Sequence, residues 1–301
     1  MPQYFQLHIQ GFINHLQFQK RYSQHTTVSY KTDLIAFFDF CETQFLATSV
    51  AEIRSTYIRS WLASLKESGL TAKSINRKIS TLKSFFKHQL KQQLIECSPM
   101  GTIVSPKIKK RLPQYIEEKG IQKLFTEIPF NDDWEGKTHY LIFEVLYNTG
   151  IRQAELIGLK EKHVDIGNAT IKVLGKGNKE RIIPISKALS TSIQLYMVAK
   201  RKHFEIFDTQ VLLVNKKGKA LYPKYVYNVT TKYLTEKVTT INKKSPHVMR
   251  HTFATHLMNN GAELNVVKEL LGHSSLAATQ IYTHNSIEKL KDVHKKAHPK
   301  A

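Results

Sequence analysis

His247-Val248-Met249-Arg250-His251, then Leu270-Leu271-Gly272-His273 and Ile281-Tyr282-Thr283-His284, is the stretch around which this chain is organised. It gathers imidazoles, a guanidinium and a phenol near the C-terminus. Phe253, Ala254, Leu257 and Met258 recur at helical spacing after the first segment, and Gly261 ends that run. On such a helix His247 and Arg250, three apart, share a side. Taken alone, the cluster fits a metal site, a phosphate site or a satisfied core. A metal would draw on His247, His251, His256 and His273, but no HExxH pattern is present and Arg250 would repel a cation.

Two upstream patterns favour phosphate. Arg152 follows the glycine turn Thr149-Gly150 at the start of a short helix, where its planar fork and free backbone N–H groups can face one anion. Glu155, three residues on, can hold that fork, although a purely structural bridge reads the same way. Segments 169–174 and 180–185 alternate as a β-hairpin, and its turn, Gly175-Lys176-Gly177-Asn178-Lys179, lets Lys176 swing. This turn lacks the spacing and the Ser or Thr of a nucleotide-binding P-loop. Arg152, Lys176, Arg250, His247 and His273 together suit a phosphoryl transition state, whose equatorial oxygens match guanidinium forks bidentately. Tyr282 then acts as a covalent nucleophile on phosphorus. A phenol of ordinary pKa ~10 needs nearby cations and a neutral imidazole to lose its proton. No carboxylate set for Mg²⁺ belongs here, so neither metal nor other cofactor is expected.

Composition agrees with a polyanionic partner. Forty-five Lys and Arg against twenty-four Asp and Glu leave a net charge of +21, which points to nucleic acid, with an anionic membrane surface as the alternative. A length of 301 residues suggests two domains. Cys41 and Cys97 cannot build a disulfide framework, so a reducing compartment fits. No secretory signal and no run of ~18 apolar residues is seen, so a cytoplasmic protein without a membrane partner is expected.

The first third reads as helices over about 4–19, 27–45, a third from an N-cap at Ser55 to Gly69, and about 74–94. Their stripes (Phe5, Ile9, Phe12; Leu34, Phe37, Phe38; Ile58, Trp61; Ile75, Ile79, Leu82, Phe86, Leu90) are read as core rather than as base-stacking platforms. The opposite face of the fourth helix carries Asn76, Ser80, Lys83 and Lys87, with Arg77 beside them. It suits phosphates and groove edges, and an ordinary solvated face looks alike. Pro106 and Pro113 then bracket Lys107, Lys109, Lys110 and Arg111, an extended basic linker that could follow a phosphate backbone. Beyond it, helices are expected over about 117–128, 137–148, from the Ser186 cap to 201, from Pro223 to 238, and over 265–271, closed by Gly272.

Four segments carry a family resemblance: Thr149-Gly-Ile-Arg-Gln-Ala-Glu-Leu156, Gly175-Lys-Gly-Asn-Lys-Glu-Arg181, Pro246-His-Val-Met-Arg-His-Thr-Phe-Ala-Thr-His-Leu257, and Leu270 to His284. Over essentially its whole length the chain resembles the tyrosine site-specific recombinases of the phage-integrase family, most closely the bacterial Xer-type chromosome-dimer resolvases. Met249 and Ala278 depart from the pattern's Leu and Thr, at positions that carry no chemistry. The resemblance implies an all-α, four-helix, SAM-like core-binding domain (1–105), a linker (106–112) and a mainly α catalytic domain with a small β-sheet (113–301). It implies that Tyr282 forms a 3′-phosphotyrosyl link and frees a 5′-hydroxyl. Arg152, Arg250, His247 and His273 would stabilise the transition state, and Lys176 would protonate the leaving oxygen. Double-stranded recombination sites are the implied partners, bound by a tetramer on two synapsed sites. A related recombinase and a DNA-translocase regulator are further candidates. The tail, about 286–301 with Ile287 and Leu290, would dock into a neighbouring protomer. Chromosome-dimer resolution at a dif-like site is the expected role; a mobile-element integrase and a non-catalytic DNA-binding regulator are the alternatives.

Overall fold

The computed structural model describes residues 4–108, 114–175, 180–235, 238–242, 244–272, 293 and 295–299. The chain forms two compact units, Met1–Arg111 and Leu112–Ala301. The first is helical and the second mainly helical with a small sheet, which is the fold class expected from the sequence.

In the first unit, α1 (Gln6–Asn14), α2 (Gln24–Phe45), α3 (Ser55–Glu67) and α4 (Ala72–Lys91) enclose an aromatic core. Phe5 stacks on Phe38 with centroids 4.2 Å apart, and Phe37 meets Trp61 edge-on at 5.1 Å. Ser23 and Thr71 cap α2 and α4 by accepting the Thr26 and Ser74 amides. Ser55 does not cap α3. Arg54 holds the extended N-cap position without a side-chain bond, and Ser55, already inside the first turn, accepts from Arg59 Nη2 at 3.2 Å. Leu90 also departs from its predicted stripe: α4 ends at Lys91, and its last turn leaves Leu90 40% exposed.

The second unit is built around α6 (Trp134–Thr149), which is buried along nearly its whole length. Asp133 starts it by accepting the Gly136 amide at 2.7 Å. Around it lie α5 (Glu118–Thr126), α7 (Gln153–Ile157), α8 (Lys187–His203), α9 (Pro223–Tyr233), α10 (Pro246–Asn259) and α11 (Leu264–Leu271). Strands β1 (Val164–Asp165), β2 (Thr170–Leu174) and β3 (Glu180–Pro184) form an antiparallel sheet with Val164 opposite Ile171 and Leu174 opposite Glu180. Ser186 caps α8 as expected. Helix α9 stops at Tyr233, short of 238, because Leu234 leaves helical geometry (φ −78°, ψ 59°) and is drawn wholly into the core.

Most of the expected exchange tail, including Ile287 and Leu290, lies outside the described residues. Its described end rests on its own unit. Ala297 and His298 are buried, and Asn260 Nδ2 donates to the Ala297 carbonyl at 2.9 Å.

One turn places the functional residues. Gly150 ends α6 in the left-handed region (φ 59°), and its amide bonds the Leu146 carbonyl at 3.0 Å. A Cβ here would stand 2.3 Å from Phe253 Cδ1 on α10 and 3.0 Å from Leu271 Cδ2 on α11. The missing side chain therefore lets both helices close on the turn that precedes Arg152. Gly150→Ala should destabilise the protein by about 2–5 kcal/mol, the sum of a left-handed alanine and an overpacked contact. Urea midpoints measure this; a loss under about 1 kcal/mol would mean that the Phe253 ring has free space to retreat into.

Candidate active site

Glu155 anchors the site. Its carboxylate is 5% exposed and lies on α7, one turn after Arg152. Arg152 donates to it twice, from its backbone N–H to Oε2 at 2.8 Å and from Nη1 to Oε1 at 2.9 Å. Arg181, on β3, closes the other side with Nη1 to Oε1 at 3.1 Å and Nη2 to Oε2 at 2.8 Å. Burial alone would raise the Glu155 pKa, but the bonds from Arg181 and Arg152 outweigh it and hold the group below the ordinary carboxylate range. The Arg152 side chain remains 40% exposed, so one guanidinium is held from behind and open in front.

Arg250 is fixed differently. It is 4% exposed on α10, and its guanidinium donates to two backbone carbonyls, Nη1 to Gly150 O and Nη2 to Leu271 O, each at 2.7 Å. Burial, and next the nearby Arg152 charge, push it down to about 10, so it is still cationic at neutral pH. Three guanidiniums thus surround one carboxylate among the described residues, and the surplus positive charge suits an anion. His247 lies exposed in the first turn of α10, and its ring meets that of His251 at 4.5 Å.

The sequence patterns pointed to Arg152, Glu155 and Arg250, and the fold brings these three together. Lys176, His273 and Tyr282 lie outside the described residues; β2 and β3 flank the first, and α11 with its left-handed Gly272 leads directly to the second. Arg181 was not singled out from sequence. Its signal was available, because Arg181 and Ile183 alternate with Glu180 and Ile182 along β3 and lie on its buried side. Of the histidines that a metal would use, His256 is buried and its Nδ1 lies 3.0 Å from the Tyr147 hydroxyl. Among the described residues no group of three or more His, Cys, Asp or Glu could hold a metal ion.

On α4, Ser80, Lys83 and Lys87 are exposed, and so is Lys107 beyond it; Lys109, Lys110 and Arg111 lie outside the described residues. Two expected contact residues have other partners. Arg77 and Lys78 both bind Asp33, which is 1% exposed on α2, and Thr81 Oγ1 adds a bond at 3.0 Å. Asn76 Nδ2 donates to the Pro106 carbonyl at 2.9 Å, tying the start of the basic segment to α4.

Two family models cover this chain: the N-terminal SAM-like domain of phage integrases over residues 9–93, and the phage integrase family over residues 114–289. The chain belongs to the phage integrase family. It is a tyrosine recombinase, an enzyme that cleaves and rejoins DNA. Tyrosine recombinase XerC of Chlorobaculum parvum is 33% identical over 97% of this recombinase and 94% of its own length. Tyrosine recombinase XerC of Staphylococcus aureus is 37% identical, covering 98% and 97%. A crystal structure of the XerH site-specific recombinase bound to palindromic difH substrate, a post-cleavage complex, superposes with a TM-score of 0.69 at 25% identity, over 88% of this recombinase and 78% of that chain.

The depressed Glu155 stabilises the fold fully above the ordinary carboxylate pKa of ~4.3, and that stability is lost as pH falls through the lower folded value. In Glu155→Gln the acid-side loss should be shallower than in wild type, read from urea midpoints between about pH 6 and about pH 3. Equal slopes would contradict the depressed carboxylate.

Lys83→Ala and Lys87→Ala should each weaken DNA binding uniformly across sequences and lower the salt slope by ~1, without changing the unfolding midpoint. Arg77→Ala should instead lower the midpoint, because it removes one partner of a buried acid. A salt-slope change confined to Arg77→Ala would reverse these assignments.

Proposed function

We propose that this recombinase cuts and rejoins DNA through a 3′-phosphotyrosyl intermediate on Tyr282 and resolves chromosome dimers at a dif-like site in the cytoplasm. The paired guanidiniums of Arg152 and Arg250 carry this reading. One is open to solvent and the other is locked onto backbone carbonyls, with more positive charge than Glu155 can balance. Such a pair binds the two non-bridging oxygens of a phosphodiester and strengthens its hold as charge develops there.

In this mechanism Tyr282 gives its proton to a neutral imidazole of the site and attacks phosphorus, and the P–O5′ bond breaks as the P–O(Tyr) bond forms. Lys176 gives its proton to the leaving 5′ oxygen, while His247 and His273 donate to the non-bridging oxygens. The tyrosyl ester keeps the energy of the broken bond, so a 5′-hydroxyl of a second strand can reverse the step and complete exchange. Neither ATP nor a metal ion takes part. Strand exchange places four copies on two sites, and a related recombinase can supply two of them. Near full-length likeness to XerC proteins supports the chromosomal role over that of a mobile-element integrase.

The test is a covalent trap. Wild-type protein incubated with fragmented host DNA in chelator should give a denaturant-resistant adduct at Tyr282, and sequencing the attached DNA identifies the site. Tyr282→Phe should abolish the adduct. An adduct that persists in Tyr282→Phe, or that forms only with added Mg²⁺, overturns the mechanism.

A further inference from the structure

Arg181 lies outside the phosphate-binding set, yet it joins the supports of that set. Besides both Glu155 oxygens, it holds the Leu270 carbonyl through Nε at 2.9 Å. A Cβ on Gly272 would stand 3.1 Å from Arg181 Cδ, so the end of α11 closes directly over this side chain. Three segments meet there. Glu155 fixes Arg152, β3 is the return strand of the hairpin that contains Lys176, and Gly272 immediately precedes His273. Only a guanidinium can serve this place: two parallel donors grip the carboxylate while Nε points elsewhere, whereas an ammonium is a single point charge. A buried ion pair adds little net stability over apolar packing, which argues that its directional contacts are the reason for the residue.

We propose that Arg181 is a positioning residue that, through Glu155, aims the Arg152 fork at the scissile phosphate and locks β3 and the end of α11 to it. This rests on the reading of Arg152 as a phosphate ligand. A residue of this kind raises the rate of phosphotyrosyl formation and leaves DNA affinity almost unchanged, because the fork matters most when charge develops on phosphorus.

The probe is a nicked duplex carrying the sequence recovered from the Tyr282 trap, with either an ordinary or a methylphosphonate linkage at the scissile position. The methyl group removes the charge that Arg152 balances. On ordinary DNA, Arg181→Lys should slow adduct formation roughly 10- to 100-fold, the worth of a lost charged hydrogen bond, with affinity within about threefold. On methylphosphonate DNA most of that loss should vanish, as it should for Arg152→Ala. Arg152→Ala/Arg181→Lys should be no slower than Arg152→Ala alone. If Arg181→Lys does not fold, Glu155→Gln/Arg181→Gln, which buries no unpaired charge, takes the same test. A wild-type rate in the folded variant, or an equal loss on both substrates, overturns the proposal. If the neutral linkage fails to restore Arg152→Ala itself, the reading of Arg152 fails and the role of Arg181 falls with it.

Discussion

The carboxylate of Glu155 is the interaction on which the catalytic unit depends. A buried carboxylate costs several kcal/mol unless its lone pairs are met, and here two guanidiniums and a backbone N–H meet them. The same bonds join α7 to β3, and Arg181 carries the connection on to the end of α11. Structural satisfaction and site geometry are thus one set of bonds. Their charge does not balance, and the surplus cation faces solvent at Arg152. A fold that leaves positive charge in a rigid, half-open position is prepared for an anion before one arrives.

Much of this was legible from residue spacing. The stripes of Phe37, Phe38, Ile79 and Phe86 follow helical periodicity closely enough to define the first core, and Gly150 marks the turn that only glycine fills. Local signals failed where competing geometry won. Ser55 is a good cap by type, but the helix takes its N-cap one residue earlier. Strand β1 is two residues long, too short to alternate visibly. Arg77 looked like a contact residue because its partner, Asp33, stands 44 positions away in sequence.

That pairing also divides the positive charge of the first unit into two populations. Arg77 and Lys78 neutralise a buried acid, and Lys78 further lies over the Trp61 ring at 5.4 Å. Lys83 and Lys87 have their side chains in solvent. A count of cations on α4 therefore overstates the charge offered to a partner.

Arg250 illustrates a different economy of design. Its acceptors are the main-chain carbonyls of Gly150 and Leu271, which every amino acid would supply equally. No single side-chain replacement can delete either acceptor, so drift in the neighbouring sequence leaves the contact chemistry intact. Sensitivity shifts to the path of the backbone: whatever displaces the end of α6 or of α11 turns the guanidinium with it. The residue is insulated from chemical variation and coupled to mechanical displacement.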